Sequence, residues 1–243
     1  MKEDLIVCRD LVKDYGKFTA LDQVNLTIGR GRIVGLLGPN GSGKTTLIKL
    51  LCGLLQPSGG ELLIDGQKPG PYTKSQVSYL PDRMYFADWM KAKDLTNFFA
   101  DFYPDFDRAK AEDMCRSLKI DPNHRIKSMS KGTKEKLQLA LVMSRKAQLY
   151  LLDEPIAGVD PAARDYIMNT ILTNYNENGT VLISTHLIGD VERVLDEAIF
   201  LQMGHVVRHD SVDAIREKEG KSVDALFREI FRAEAYGGER YDR

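Results

Sequence analysis

Residues 38–46 read Gly-Pro-Asn-Gly-Ser-Gly-Lys-Thr-Thr, a set of residue types that can hold a polyphosphate. The apolar run Ile33–Leu37 precedes this segment, and an apolar, helix-like stretch follows it. In this order, a strand leads into a glycine-rich turn, where the lack of side chains lets several backbone N–H groups point at the same phosphate oxygens. The next helix points its positive end at the same charge. The segment therefore predicts a phosphate-binding P-loop.

The polar residues of this loop have specific expected roles. Lys44 should reach the β- and γ-phosphates, and the Thr45 hydroxyl should hold Mg²⁺. The residues expected to contact the nucleotide are Pro39, Asn40, Gly41, Ser42, Gly43, Lys44, Thr45 and Thr46. The alternative is a glycine-rich turn that only opens an ordinary helix, and it is disfavoured because both flanks fit a P-loop.

Two adjacent carboxylates, Asp153 and Glu154, follow the apolar run at residues 149–152. A buried strand presents functional groups at its carboxyl end, so Asp153 can face the metal while Glu154 faces the attacking water. Adjacent acids are common on protein surfaces and are weak evidence by themselves. Their place after four apolar residues, in a chain with a P-loop, favours the catalytic interpretation.

Two more candidates lie downstream. His186 follows the strand-like residues 181–184. A lone histidine there is most often structural, but a nearby phosphate site favours a contact with the γ-phosphate. Asp160 precedes Pro161, as the N-cap residue of a helix would. We count Asp160 among the nucleotide contacts, although capping alone could explain it.

The bulk composition is that of an ordinary globular protein. The chain has 243 residues, of which 43% are hydrophobic, enough for a full core. Its 34 basic and 35 acidic side chains nearly cancel, so nucleic-acid binding is not expected. No apolar stretch reaches the roughly 20 residues that span a bilayer, and the acidic start does not resemble a signal peptide. A cytoplasmic protein with reduced, buried cysteines is expected.

Periodicity predicts an α/β fold, a P-loop NTPase core with a parallel sheet. Alternating apolar residues before and after the P-loop predict a flanking antiparallel β-subdomain. Short apolar runs at 149–152, 181–184 and 198–202 predict buried parallel strands. We expect residues 1–82 and 146–210 to form the ATP-binding core, 83–145 an inserted helical subdomain, and 211–243 a C-terminal helical tail.

Eight of the twenty aromatic side chains crowd into residues 85–106. They could form the core of the helical subdomain, which is the favoured interpretation, or line a groove for a partner. In the tail, one helix face is apolar; it consists of Val223, Leu226, Phe227, Ile230 and Phe231. We expect it to pack on its own domain or on a second copy, with the chain frayed from Gly237 onward.

In the order and spacing of these motifs, the chain resembles an ATP-binding subunit of the ABC transporter family over nearly its whole length. The resemblance implies that ATP and Mg²⁺ bind and that Tyr15, in Asp14-Tyr15-Gly16, stacks on adenine. Residues 129–133, Met-Ser-Lys-Gly-Thr, resemble the signature motif of the family and depart from its commonest form at Lys131 and Thr133. This variant resembles the bacterial exporter-type branch.

The signature segment also has a physical rationale. Ser130 opens a helix, so its hydroxyl, the Gly132 amide and the positive helix end form a second anion site. Simple capping by Ser130 is the alternative. The resemblance implies that this site closes over the γ-phosphate held by another subunit, giving a head-to-tail dimer. The partner could be an identical chain or a second ATP-binding subunit.

Asp82 is a departure from the family pattern. The family usually has glutamine after this strand, and Gln76 lies at the wrong end of the strand to replace it. An ionised aspartate binds Mg²⁺ and accepts hydrogen bonds, but it repels phosphate and cannot donate as an amide can. We expect Asp82 to act through metal, water or the partner interface.

Together with the family resemblance, these residues predict an ATPase that drives a separate membrane permease from the inner face of the membrane. Glu154 would polarise the water, His186 would steady the γ-phosphate, and Lys44 and Mg²⁺ would neutralise charge. An ATP-gated clamp of the same family, not coupled to transport, is the alternative. A P-loop GTPase is disfavoured because neither Asp-x-x-Gly nor Asn-Lys-x-Asp occurs in the sequence. A small-molecule kinase would leave the signature segment, Glu154 and His186 without a joint role.

Overall fold

The structure, a computed structural model, describes residues 4–235 as two sheets surrounded by helices. The strands are β1 Asp4–Asp14, β2 Thr19–Gly29, β3 Ile33–Leu37, β4 Gly59–Ile64, β5 Val77–Leu80, β6 Leu149–Asp153, β7 Thr180–Thr185, β8 Glu197–Gln202 and β9 His205–Ser211. The α-helices are α1 Lys44–Leu51, α2 Pro71–Gln76, α3 Ala92–Phe102, α4 Arg108–Ser117, α5 Lys131–Met143, α6 Pro161–Asn174, α7 Ile188–Val191, α8 Val212–Glu219 and α9 Val223–Ala235.

The larger sheet has six strands in the order β5-β6-β7-β3-β8-β9. Its first five strands are parallel, and β9 is antiparallel to β8. Every residue of β3, β6 and β7 is buried, as expected of parallel strands covered on both faces. The parallel core was predicted. Strand β9 was not, because its polar, half-exposed sequence lacks the apolar run that marks a buried strand.

The smaller sheet is antiparallel, in the order β2-β1-β4, and confirms the predicted flanking β-subdomain. Its apolar face and α1 pack on one side of the larger sheet, against Val34 and Leu36 of β3. The other side of β3, with Ile33 and Leu37, faces the core that contains α6 and α7. This alternation follows from the two-residue period of a strand. It holds the P-loop strand between two apolar layers.

A third apolar cluster lies in the helical region between β5 and β6, and it contains Leu95, Phe99, Ile126 and Leu137. Of the eight crowded aromatics, Phe99 is buried in this cluster, and Phe86, Tyr103 and Phe106 pack on it half-buried. The other four, Tyr85, Trp89, Phe98 and Phe102, are exposed. The core interpretation therefore holds for half of the aromatic residues only.

Arg145 joins the helical region to the large sheet. Its side chain is 2% exposed, and its guanidinium binds both carboxylate oxygens of Asp105 at 3.1 Å. The same group donates to the Val77 and Ser75 carbonyls and lies 3.9 Å from the centre of the Tyr103 ring. Buried guanidinium groups need such complete pairing, because an unpaired buried charge is costly.

Arg145→Ala should therefore lower the free energy of unfolding by about 3 kcal/mol, since it leaves Asp105 and two carbonyls without their donor. Urea denaturation followed by circular dichroism measures this. Arg116→Ala is the matched control, because Arg116 pairs with Asp113 on the surface and should matter by less than about 0.5 kcal/mol. A loss below about 1 kcal/mol for Arg145→Ala would show that the pairing is not what joins the two regions.

The C-terminal helices pack on the main core. Val223 and Leu226 of α9 are buried there, and Phe227 stacks on Phe200 with ring centres 6.3 Å apart. The predicted apolar face thus covers its own domain. Residues from Gly237 onward lie outside the described part of the chain, so the expected fraying stays a prediction. Within residues 4–235, no helix combines the length and apolar character that crossing a membrane requires.

Candidate functional site

The P-loop connects β3 to α1 through a turn in which Gly38 and Gly43 leave no room for a side chain. Gly41 and Gly43 have positive φ angles of 81° and 109°. A Cβ atom on Gly43 would lie 2.6 Å from the Ala20 carbonyl oxygen, and one on Gly38 would lie 2.3 Å from that of Leu201. The ends of β2 and β8 therefore press on the loop, and glycine is required at both contacts.

Lys44 lies inside this loop, with its side chain only 6% exposed. Its Nζ donates to the Gly38 and Pro39 carbonyl oxygens at 2.8 and 3.1 Å and lies 3.6 Å from Oε1 of Glu154. Burial lowers the pKa of Lys44, and the carboxylates of Glu154 and Asp153 oppose that shift. The lysine is thus held at the mouth of the loop by carbonyl groups that a phosphate could replace.

Asp153 ends β6 beside the loop. Its Oδ1 accepts hydrogen bonds from the Ser184 hydroxyl at 2.6 Å and the Thr45 hydroxyl at 3.2 Å, whereas its Oδ2 is buried without a partner. Burial raises the pKa of this carboxyl group, and the nearby carboxylates of Asp82 and Glu154 add to the rise. A buried oxygen without a donor needs an explanation, and a hard divalent cation such as Mg²⁺ provides one.

The described residues contain no group of three or more His, Cys, Asp or Glu side chains placed to hold a metal. A cation at Asp153 and Thr45 would therefore complete its shell with phosphate oxygens and water, which is how Mg²⁺ is usually bound beside nucleotides. The residues present fit Mg²⁺ on that basis.

Glu154 is held in place by an unusual backbone conformation, with φ at +50°. Its amide donates to the Ser184 carbonyl oxygen at 3.0 Å, which ties the end of β6 to β7. Its Oε2 lies 3.0 Å from Nδ1 of His186, and its Oε1 faces Lys44. Such outliers persist only where the surroundings enforce them, often at functional sites. Glu154 thus lies 3.6 Å from Lys44 and 3.0 Å from His186, so the three predicted catalytic residues are adjacent.

Two cavities meet at this point. One, of about 400 Å³, is lined by the P-loop together with Phe18, Ala20, Asp82 and Glu154. The other, of about 610 Å³, is lined by Asn40, Asp82, Glu154 and His186 and by one face of α5. Asp82 and Glu154 border both. The structure therefore brings Asp82 to the predicted metal and phosphate region.

Tyr15 lies apart from these cavities. It is 51% exposed, lines neither of them, and has Nζ of Lys13 5.2 Å from its ring centre. The aromatic residue that borders the P-loop cavity is Phe18, which is 60% exposed. Sequence reasoning missed Phe18. The sequence did contain a signal for it. Phe18 is a second aromatic residue near Tyr15, and it directly precedes β2, the strand that contacts the P-loop.

Of the signature residues, Ser130 and Gly132 line neither cavity, whereas Lys131 lines the larger one together with Asn40 of the P-loop. Ser130, Lys131 and Gly132 are exposed, and a Cβ atom on Gly132 would meet nothing within 4 Å. The Ser130 hydroxyl accepts a hydrogen bond from the Thr133 amide at 3.2 Å, so Ser130 caps α5. Asp160 directly precedes α6, and its carbonyl accepts from the Arg164 amide at 3.1 Å. Ser130 and Gly132 are therefore accessible to another molecule.

Residues 21–157 match the family described as ABC transporter. A curated relative, "ABC transporter ATP-binding protein YtrB" from Bacillus subtilis (strain 168), is 32% identical over 217 residues, which cover 88% of this chain and 74% of the relative. Other curated relatives are longer, and the chain spans 61% or 34% of their length.

Solved structures give the same picture. One of them, "Structure of ATP binding subunit of ABC transporter", has a TM-score of 0.83 and 28% identity, covering 93% of this chain and 99% of that one. Another, "Dimeric structure of a post-hydrolysis state of the ATP-binding cassette MJ0796 bound to ADP and Pi", has a TM-score of 0.74 and 22% identity, covering 85% and 98%. The second likeness shows the fold alone.

Proposed function

This chain belongs to the ABC transporter family of ATP-binding subunits, and from that membership we propose that it hydrolyses ATP to drive a separate membrane permease. Family membership supports ATP binding and hydrolysis in general. The magnesium dependence, the coupling to transport and the place at the inner face of the cell membrane belong to the proposal. The substrate would be selected by the permease, and the signature variant favours export.

Each catalytic residue has a proposed role that its contacts support. Lys44 binds the β- and γ-phosphates in place of the two loop carbonyls that it now contacts. Glu154 orients and polarises the attacking water, and His186, 3.0 Å from it, contacts the γ-phosphate. Thr45, Asp153 and Asp82 would hold Mg²⁺, which supplies charge neutralisation for the transferring phosphoryl group.

For the base, we propose that Tyr15 stacks on adenine and that Phe18 borders the same region. The exposed turn carrying both residues could supply either ring, since an aromatic face stacks on any base. The remaining nucleotide contacts would come from residues 39–46 and from Asp160.

For the partner subunit, we propose a head-to-tail dimer, identical or mixed, that encloses ATP between the P-loop of one chain and Ser130 and Gly132 of the other. The exposure of Gly132, with open space where a Cβ would be, supports this closure. The solved structure of the MJ0796 cassette is described as dimeric and bound to ADP and Pi, and this supports a dimer here.

The observation that carries the proposal is the convergence of Lys44, the orphaned Asp153 Oδ2 and the Glu154–His186 pair at one end of the P-loop. The purified protein should hydrolyse ATP only with Mg²⁺, and Lys44→Ala should abolish this activity. When the tagged protein is purified from membranes, a polytopic permease should accompany it. Recovery of a ribosome or a soluble complex instead would favour the clamp.

A further inference from the structure

We propose that Gln138 is a positioning residue of the ATPase site, whose side-chain amide donates the hydrogen bond that Asp82 cannot supply. This inference rests on the proposed function and deepens it. It assigns a role to a residue outside the P-loop, the Asp153–Glu154 pair, His186 and the signature.

Gln138 lies on the face of α5 that turns toward the catalytic residues. Together with Lys131 and Lys134 it lines the cavity of about 610 Å³ that Asp82, Glu154 and His186 also border. The positions i, i+3 and i+7 fall on one side of a helix, so this face is a continuous wall of the cavity.

The amide of Gln138 lacks a partner. The residue is only 3% exposed, and its Nε2 is buried without any hydrogen bond. A buried donor left unpaired destabilises the fold, and native proteins retain few of them. The residues one turn further along α5, Leu141 and Val142, are apolar and buried, so an apolar residue would suit position 138 at least as well for packing. The unpaired amide therefore leaves a donor available to a ligand, once rotation about the last side-chain bond turns it toward the cavity.

The other residues that border this cavity indicate the acceptor, which we take to be an oxygen of the γ-phosphate. Asp82 and Glu154 are carboxylates that, when ionised, only accept hydrogen bonds, and the γ-phosphate adds further anionic oxygens. The transferring phosphoryl group is stabilised by donors fixed in place before the reaction. An acceptor at Asp82 and a donor at Gln138 together supply the two hydrogen-bonding functions that one glutamine amide would provide.

A double-mutant cycle between Gln138 and Asp82 tests the pairing. Gln138→Leu should lower kcat about tenfold and change KM for ATP by less than about twofold, as expected for the loss of a hydrogen bond to a charged group in the transition state. In the Asp82→Gln background, where an amide is already present, the same substitution should lower kcat by less than about twofold. This coupling is not expected of a merely structural residue.

Stability and binding provide readouts that do not depend on turnover. Because Gln138→Leu removes an unpaired buried amide, its Tm should stay the same or rise by about 2–4 °C. The dissociation constant for a non-hydrolysable ATP analogue with Mg²⁺ should be unchanged within about twofold. Gln138→Met is a second variant in case leucine does not fit. Thr96→Val is the control, since the buried Thr96 hydroxyl donates to the Ala92 carbonyl within its own helix and should not affect kcat.

Four results are decisive. A kcat near that of the wild type in Gln138→Leu, or an equal loss in both Asp82 backgrounds, would overturn the role of Gln138 and leave the proposed function intact. A wild-type protein that neither binds nor hydrolyses ATP would instead refute the proposed function itself. A loss of kcat in Gln138→Leu that is much smaller in the Asp82→Gln background, with the Tm of Gln138→Leu maintained, supports the donor role.

Discussion

Glu154→Gln should bind ATP normally and turn it over at least tenfold more slowly than the wild type. The amide keeps the size of the side chain but cannot accept a proton, and a general base contributes about 10²–10⁴-fold to such reactions. The backbone conformation at position 154 and its bond to Ser184 do not depend on the carboxylate. Steady-state phosphate release and equilibrium binding of ATP measure the two effects separately.

The control for Glu154 is Glu135→Gln, because Glu135 lines the same larger cavity from α5. This variant should keep turnover within about twofold, since the half-buried carboxylate pairs, at 3.7 Å, with Lys131, whose side chain is 75% exposed. Near-normal turnover in Glu154→Gln would remove Glu154 from the role of base and leave His186 as the candidate.

Two inactive variants, Lys44→Ala and Gly132→Asp, should recover activity when they are mixed. A dimer has two ATP sites, each made of the P-loop of one chain and the signature of the other. In a dimer of either variant alone, both sites therefore lack one half, the P-loop or the signature. In a mixed head-to-tail dimer, the intact P-loop of one chain meets the intact signature of the other, and one site is complete. Random exchange in an equal mixture would restore up to about a quarter of the wild-type rate, if one complete site works at full rate.

Folding of the Gly132→Asp variant is not at risk, because the added side chain enters open space. Its Tm should stay within about 2 °C of the wild type. Size-exclusion chromatography provides the matching structural measurement: Glu154→Gln saturated with Mg²⁺ and ATP should elute as a dimer, and the added Gly132→Asp should return it to a monomer. A mixture that stays inactive would argue against pairing of identical chains.

Local chemistry was predictable from the chain itself. The P-loop, the carboxylates at the end of β6 and the histidine after β7 each depend on residues adjacent in sequence, so their motifs predict them without knowledge of the fold. The parallel core and the flanking antiparallel sheet followed from apolar periodicity for the same reason. Strand β9 did not, because it pairs at a sheet edge where burial imposes no apolar pattern.

The distances between side chains that are far apart in sequence could be known only from the tertiary structure. The parallel order β6-β7-β3 brings the carboxyl ends of three strands to one edge, and this sets the distances between Lys44, Glu154 and His186. The orphaned Nε2 of Gln138 became evident only once α5 was packed on that edge. Likewise, which of the two aromatics in the β1–β2 turn borders the P-loop depends on how β2 meets that loop.

The sequence by itself determined which groups are available for chemistry: a phosphate-binding loop, a pair of acids, a histidine and an acceptor-only Asp82. The tertiary structure alone decided which of these groups meet and which are left without a partner. The physical reason is that hydrogen bonds and ion pairs act over a few ångströms, whereas the residues that form them here are separated along the chain and are brought together by the packing of strands and helices.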